Sequence, residues 1–324
     1  MVGVYRIHAT GGPEVLRWET MPATEPSGEQ VLVRHTAIGL NYVDTYFRSG
    51  LYPVPLPSRL GTEAAGVVER VGDKVTDLKV GDRVAYAGGM GAYAEANMVA
   101  AGRLVRIPEG ISDEVAAASL LKGLTTCYLV TRTYRVTAAH HVLVHAAAGG
   151  VGLILCQWAR HLGATVIGTV GSPEKAQLAR ANGADHTIEY RREDVVARVR
   201  ELTGGRGVDV GYDSVGKDTF DITLNSLAPL GMFVSYGNAS GNAPAVHPHD
   251  LQNRGSLFFT RPTLATYSAR TEDLRAMADE LFALIDAGTL QIHINQRYPL
   301  SKLEQAHRDL EARATTGSTV LVPD

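Results

Sequence analysis

The sequence predicts an α/β protein in which a doubly wound parallel sheet is inserted into a β-rich domain. Three observations carry that prediction. From residue 141 to residue 236, apolar strand-like runs alternate with helical text of roughly ten residues, the rhythm of a parallel sheet with crossover helices. The first third is instead β-rich and densely punctuated by Gly and Pro, as parallel α/β units rarely are. The 324 residues also exceed one ordinary small domain, so two are expected.

In chain order, strand-like runs cover 30–37, 65–71 and 83–87, each bounded by Gly, Pro or charged turn residues. The punctuation includes Gly11-Gly12-Pro13, Pro53 to Pro57, Gly81-Asp82 and Gly88-Gly89. Ala-rich helical text follows over 111–134, notably 115–121 and 125–133. The alternating stretch then gives strand 141–145, helix 150–162, strand 165–170 and a helix over 173–182 with Pro173 in its first turn. It continues with strand 185–189, amphipathic helix 193–203, strand 208–212, helix 219–227 and strand 231–236, and 256–260 reads as one more strand. After Pro262 come a long helix (272–287), a strand near 291–294, a helix (301–312) and a last strand (319–322). The N-terminal part and this tail are expected to complete one domain around the inserted unit.

Composition narrows the function classes. Hydrophobic residues at 45% and charged residues at 20% are ordinary for a globular protein. A net charge of -3, with no Lys/Arg run, gives no electrostatic drive toward nucleic acid. There is no basic-flanked apolar leader and no run of about 18 apolar residues, so neither secretion nor membrane insertion is expected. Cys127 and Cys156 are the only cysteines, which rules out a disulfide framework and fits a reducing cytoplasm, with both thiols expected to be buried.

The strongest local signal is His145-Ala146-Ala147-Ala148-Gly149-Gly150-Val151-Gly152, directly after a strand and opening a helix. It fits G-x-G-x-x-G with Ala147 in place of the first glycine, a turn that lets backbone N–H groups approach a pyrophosphate at a helix N-terminus. In an NAD-binding unit an acidic residue about 20 positions further on takes the ribose hydroxyls. Here Gly171 and Ser172 stand at that place, Lys175 lies one turn into the next helix, and Tyr190 follows the third strand. A missing carboxylate and a nearby lysine favour a 2′-phosphate, so NADPH is the expected cofactor. Glu174, inside the helix, is the counter-candidate for the ribose.

Taken in order, several stretches resemble the zinc-less branch of the medium-chain dehydrogenase/reductase superfamily, specifically bacterial NADPH:quinone oxidoreductases related to zeta-crystallin. They are Ile38-Gly39-Leu40-Asn41-Tyr42-Val43-Asp44-Thr45-Tyr46-Phe47-Arg48-Ser49-Gly50-Leu51-Tyr52, Leu60-Gly61-Thr62-Glu63-Ala64-Ala65-Gly66, Val80-Gly81-Asp82-Arg83-Val84, Leu121-Lys122-Gly123-Leu124-Thr125, the glycine turn, and Tyr212-Asp213-Ser214-Val215-Gly216. The match covers essentially the whole chain. It implies a Rossmann doubly wound parallel sheet, residues 126–261, inserted in a β-rich GroES-like catalytic domain, residues 1–125 plus 262–324. It also implies that Asn41, Tyr46 and Tyr52 face the nicotinamide and act in catalysis, with Thr125 near the same end. Gly149, Gly150, Val151 and Gly152 would hold the diphosphate. Gly171, Ser172, Lys175 and Tyr190 correspond to the 2′-phosphate site. Ser214, Tyr236, Gly237 and Asn238 line the cofactor at later strand ends, with Arg261 and Arg313 as further contacts. Homodimers joined edge to edge through the strand near 256–260 are the implied assembly.

Zinc-bearing relatives place a cysteine near position 41 and a histidine near position 62, where this chain has Asn41 and Thr62. Two cysteines cannot supply a structural zinc site either. His140-His141 and the pair His247 and His249 lack a third ligand at useful spacing, so no metal is expected. An acceptor that needs no Lewis acid, such as a quinone, suits that donor set. Tyr46, Tyr52 and Asn41 are then expected to donate hydrogen bonds or stack. Reduction of α,β-unsaturated ketones or aldehydes is the alternative activity, and an NADPH-binding structural protein is the alternative from another class.

Overall fold

The computed structural model describes residues 1–324, which divide into two compact units: Met1–Leu124 with Ser268–Asp286 and Ile292–Asp324, and Thr125–Tyr267 with Ala287–Gln291.

The first unit is built on a seven-stranded sheet. Its longest strand, Gln30–Leu40, pairs antiparallel with Glu63–Val71, Ala96–Ala100 and the last strand, Ser318–Val322. The strand over 30–37 therefore runs three residues further than the sequence pattern suggests. Ile38, Gly39 and Leu40 find partners in Leu321, Val320 and Thr319, so the tail is what carries the strand up to Asn41. A second, three-stranded sheet joins Val2–Ile7 to Arg17–Met21 and Ser58–Arg59. Ile7, Val33, Ile38, Leu60, Val84, Tyr86 and Leu321 form the centre of this unit's core, each essentially without exposure. Burying each such side chain contributes about 1.5–3 kcal/mol.

The second unit is a six-stranded, all-parallel sheet. Its order is His186–Glu189, Thr165–Val170, His141–Val144, Val208–Asp213, Leu227–Ser235, Phe258–Thr260. Counted within the unit this is 3-2-1-4-5-6, the doubly wound order whose crevice lies at the carboxyl ends of the first and fourth strands. Leu143, Ile167, Ile188, Val208 and Phe233 fill its interior.

Several expected boundaries move. Helices over 115–121 and 125–133 are one helix, Asp113–Tyr128, followed by a π-turn, Leu129–Thr133. Gly123 does not break that helix. It makes room for Leu281, whose methyl carbon lies 2.4 Å from where a Cβ would sit. The second unit reaches Tyr267 where the sequence suggested 261, because the Tyr267 ring stacks on Tyr128 with centroids 4.5 Å apart and Thr133 Oγ1 donates to its hydroxyl at 2.9 Å. Ala287–Gln291 also belongs to the second unit: Gln157 and the Gln291 backbone exchange two hydrogen bonds, at 2.7 and 3.1 Å. That tether delays the strand expected near 291–294, which runs Ile294–Pro299 instead. No helix is long and apolar enough to cross a membrane. Cys127 and Cys156 are both free and buried, and burial pushes the Cys156 thiol up to about 12.

Candidate functional site

In the first unit, Asn41 sits where the long strand ends and the helix Tyr42–Ser49 begins. The helix is started by its own sequence: the Asp44 carboxylate accepts the Asn41 backbone N–H at 3.0 Å, satisfying a donor that would otherwise be orphaned. Gly50 ends it in the left-handed region at φ 83, which glycine adopts without the usual penalty. Tyr46 lies on this helix, buried, and its carbonyl accepts the Tyr52 N–H at 3.0 Å. The Tyr46 and Tyr52 rings meet edge to face, 5.1 Å between centroids. Asn41, Tyr46 and Tyr52 thus share one helix–turn segment, with the two phenol rings in contact.

Behind that segment lies a polar network that the sequence reading did not single out. Asp44 is fully buried and accepts from Thr62 Oγ1 at 2.8 Å and Tyr93 Oη at 2.7 Å. Burial nevertheless pushes its carboxyl up to about 6, the three hydrogen bonds opposing that rise. Arg48 Nη1 donates to His307 Nδ1 at 2.9 Å, so His307 Nε2 carries the proton and donates to Tyr93 Oη at 3.2 Å. Burial and the Arg48 charge hold His307 neutral, its pKa down at about 3. Asn41 Nδ2 donates to Glu63 Oε2 at 2.8 Å, and Glu63 also takes Lys122 Nζ at 3.2 Å and the Leu121 N–H at 2.6 Å. The pattern Asn41-x-x-Asp44 before a Tyr-rich run was the available signal for the helix start. An acid inside the apolar run of Glu63–Val71 was the signal for Glu63.

Arg313 lies just past the helix Leu303–Glu311, within electrostatic reach of Tyr42, the residue after Asn41. There its charge opposes the upward push that burial and Glu311 exert on the Tyr42 phenol.

In the second unit the glycine turn has the expected setting, between strand His141–Val144 and helix Gly150–His161. Gly149 caps the helix with no side-chain acceptor, leaving the first-turn N–H groups turned outward as a positive pole. A Cβ on Gly152 would come within 2.3 Å of the Ala146 carbonyl oxygen, so only glycine fits. Ala147 replaces the motif's first glycine without cost because it faces Gly168 on the next strand, and one methyl fills that gap.

Gly171, Ser172, Lys175 and Tyr190 gather at the ends of the next two strands. The Tyr190 hydroxyl lies 2.8 Å from where a Gly171 Cβ would be, and Ser172 caps the helix Pro173–Ala181 by accepting the Lys175 N–H at 3.4 Å. Glu174, the ribose counter-candidate, is fully exposed and bonded to Ser172, which together with Arg192 keeps its carboxyl below the usual range. Arg192 is thereby a basic neighbour of this cluster that sequence reading missed.

Ser214 and the stretch Tyr236-Gly237-Asn238 meet at the next strand ends, where a Cβ on Gly237 would strike the Ser214 carbonyl oxygen at 2.4 Å. The buried Tyr236 hydroxyl has no hydrogen-bond partner of ordinary geometry, though the Ser214 side chain tempers the rise that burial imposes on its pKa. Arg261 donates to the Ser235 carbonyl at 3.0 Å, and Arg261 and Thr125 both temper the burial-driven rise of the Tyr128 phenol. Asp213 holds the loop after its strand, accepting the Val215 and Gly216 N–H groups at 2.8 and 3.0 Å. It also accepts from Thr223 Oγ1 at 2.8 Å, and Thr223 in turn contacts buried His145 at 3.0 Å. His145, Tyr128 and Asp213 are further positions whose roles only packing reveals.

No cluster of three or more His, Cys, Asp or Glu stands in a metal-holding arrangement, and Asn41 and Thr62 point their polar atoms at Glu63 and Asp44.

Comparison with known proteins agrees with the fold. Residues 27–109 match the alcohol dehydrogenase GroES-like domain family, and residues 150–283 the zinc-binding dehydrogenase family. A quinone oxidoreductase of Pseudomonas aeruginosa is 56% identical over 97% of this chain and 98% of its own length. A 2-haloacrylate reductase of a Burkholderia species is 46% identical, over 100% of this chain and 99% of that protein. The crystal structure of Escherichia coli quinone oxidoreductase complexed with NADPH superposes with a TM-score of 0.97 at 48% identity, covering 99% of this chain and 100% of that one. The chain belongs to the quinone oxidoreductases, a zinc-less branch of the medium-chain dehydrogenase/reductase superfamily.

Proposed function

We propose that this protein binds NADPH and uses it to reduce quinones. The observation that carries the reading is the end of the second parallel strand, where Gly171 and Ser172 stand in place of an acid, the Tyr190 hydroxyl lies against Gly171, and Ser172 caps the helix that carries Lys175. The chain fits the cofactor on its own geometry. The Gly149–Gly152 turn leaves a cradle that a Cβ would fill, and the Tyr236 hydroxyl is a buried polar atom in want of a partner.

Bound NADPH supplies a hydride equivalent. The N–H groups of Gly150, Val151 and Gly152 face its diphosphate, Lys175, Ser172 and Tyr190 its 2′-phosphate, and Ser214, Tyr236, Gly237, Asn238, Thr125 and Arg261 line its length. Asn41, Tyr46 and Tyr52 serve the nicotinamide end and the acceptor, and Arg313 is the weakest of the cofactor assignments. A quinone is already electrophilic and its reduced anion is delocalised. The protein's task is therefore to hold the flat acceptor in a near-attack geometry and keep water out, with no Lewis acid at the Asn41 and Thr62 positions.

The test is NADPH oxidation with ortho-quinones, para-quinones and alkenals. Quinone turnover well above alkenal turnover is expected, and equal or faster alkenal turnover overturns the substrate assignment. One observation favours that second reading: the relative at 46% identity is named for reduction of a conjugated acrylate.

The assembly we propose is a homodimer in the cytoplasm, joined through the sheet edge Phe258–Thr260. That edge is open, and Phe258 and nearby Leu230 are 56% and 67% exposed, unusual for large apolar side chains unless they are covered. Sedimentation should give twice the 34.7 kDa chain mass, and Phe258→Lys should give the monomer.

A further inference from the structure

The helix Gly150–His161 begins at the glycine turn and ends, about 18 Å away by its 12 residues, at a hollow of about 620 Å³ that the cofactor reading leaves idle. Three segments of the second unit enclose it: the last turns of that helix, the turn 181–183 that ends the helix Pro173–Ala181, and residues 289–291. Local sequence builds the walls. Gly183 takes φ 96, and a Cβ there would lie 2.8 Å from the Cys156 carbonyl oxygen, so the turn sits flush against the helix. Gln157 holds the third wall in place. Its Oε1 accepts the Gln291 N–H at 2.7 Å, and its Nε2 donates to the Gln291 carbonyl at 3.1 Å.

Arg160, His161 and Arg180 line this hollow, and no acidic residue does. A basic residue at a helix C-terminus answers the local dipole, which explains a cation on each helix but not that all three border one space. Each guanidinium is steadied by a contact outside the lining. Arg160 Nη1 lies 3.2 Å from Asp185 Oδ1, and Arg180 Nη1 donates to Thr187 Oγ1. A guanidinium carries five N–H donors in a planar fork, so each keeps donors for a phosphoryl group. Asn182, Thr289 and Gln291 add amide and hydroxyl groups that suit sugar hydroxyls. The remaining lining residues, Ala181 and Gly183, offer no aromatic or branched apolar surface on which a nucleobase or a quinone could stack. The volume is that of a small-molecule site. We propose that this hollow is a second ligand site, separate from the dinucleotide site, that takes a small sugar phosphate and holds its phosphoryl group with Arg160 and Arg180. The site stands whether or not the chain reduces quinones.

Calorimetric titration of the full-length protein with glucose 6-phosphate, with and without saturating NADPH, tests this. Wild type should bind it with a Kd below about 1 mM, about tenfold tighter than glucose or inorganic phosphate, and equally well when NADPH is present. The double variant R160A/R180A should bind it about tenfold more weakly. Both arginines are exposed, so that variant should fold with an unchanged Tm. No binding by wild type, equal binding by the double variant, or inorganic phosphate as good a ligand as the sugar phosphate overturns the proposal. Binding that NADPH abolishes overturns it too, by placing the phosphate in the cofactor's own site. Wild type that ignores glucose 6-phosphate but pellets with phosphatidic acid vesicles assigns the phosphoryl group to a lipid and overturns the sugar phosphate. A protein that binds glucose 6-phosphate but not NADPH supports this site and removes only the reductase reading.

Discussion

The two units build their sites from different materials. In the second, the proposed site is mostly backbone: a glycine turn, helix N–H groups and strand ends, with Lys175 and Tyr190 as its side-chain additions. In the first, it rests on buried ionisable side chains, with Asn41 held between Glu63–Lys122 on one side and Asp44–Tyr93–His307–Arg48 on the other. Backbone donors are rigid, carry no net charge and yield only to steric insults. Buried charges must be matched, so they respond to lost partners and to pH.

That contrast can be broken or sharpened by mutation. The largest effect belongs to Gly152→Ala, whose new methyl would meet the Ala146 oxygen at 2.3 Å. Shifting the turn by even part of an ångström should cost on the order of 100-fold in kcat/KM for NADPH while leaving the melting temperature comparatively unmoved. Glu63→Ala should do the opposite and strike folding. It strands the Lys122 ammonium, only 7% exposed, at a cost of about 3–5 kcal/mol, or a fall of roughly 10 °C in Tm. Calorimetry on both variants decides whether the division between units holds.

Lys175→Ala comes next. The residue is half-buried at the rim, so it should weaken NADPH about tenfold and NADH hardly at all, as read by fluorescence titration. A preference unchanged by the substitution removes Lys175 from the site.

The pH effect is smaller and falls mainly on the first unit, though burial also lowers His145 in the second. His35 and His307 are held neutral by burial, with pKa values near 4 and 3, so the unfolded chain binds protons first as pH falls below 6.5 and stability drops from there toward pH 4. Asp44 works against this. Its folded value of about 6 exceeds the 3.8 of an unperturbed Asp, so it takes up its proton first in the folded state and returns stability between pH 6 and 4. Three depressed histidines, His35, His307 and His145, against one raised carboxyl predict a net loss on acidification. Asp44→Asn, which removes the opposing group, should steepen the fall in Tm between pH 6.5 and 4. The smallest expected effect is that of a strong chelator on quinone reduction, which should be nil.

The same contrast explains what the sequence disclosed. The parallel sheet and its glycine turn were legible because local rules govern them: strand, tight turn and helix follow one another within Val142 to Leu153, and the missing acid near Gly171 is a one-position observation. The helix Tyr42–Ser49 was legible in principle from Asn41, Asp44 and Gly50. Glu63, Lys122, Tyr93 and His307 were not, since they meet Asn41 and Asp44 across sequence separations that no periodicity encodes. The same holds for Tyr267, whose ring on Tyr128 fixes where the second unit ends. Direction was lost too: the residue type at position 41 announces an amide, but only the buried carboxylate beside it says which way round that amide sits.

The most direct measurement is a paired titration of the wild-type protein with NADPH and NADH, followed by the structure of the bound complex. The account predicts tighter binding of NADPH, its diphosphate at Gly149–Gly152 and its 2′-phosphate against Lys175 and Tyr190. Equal affinity for the two cofactors, or a diphosphate lodged anywhere else, contradicts it.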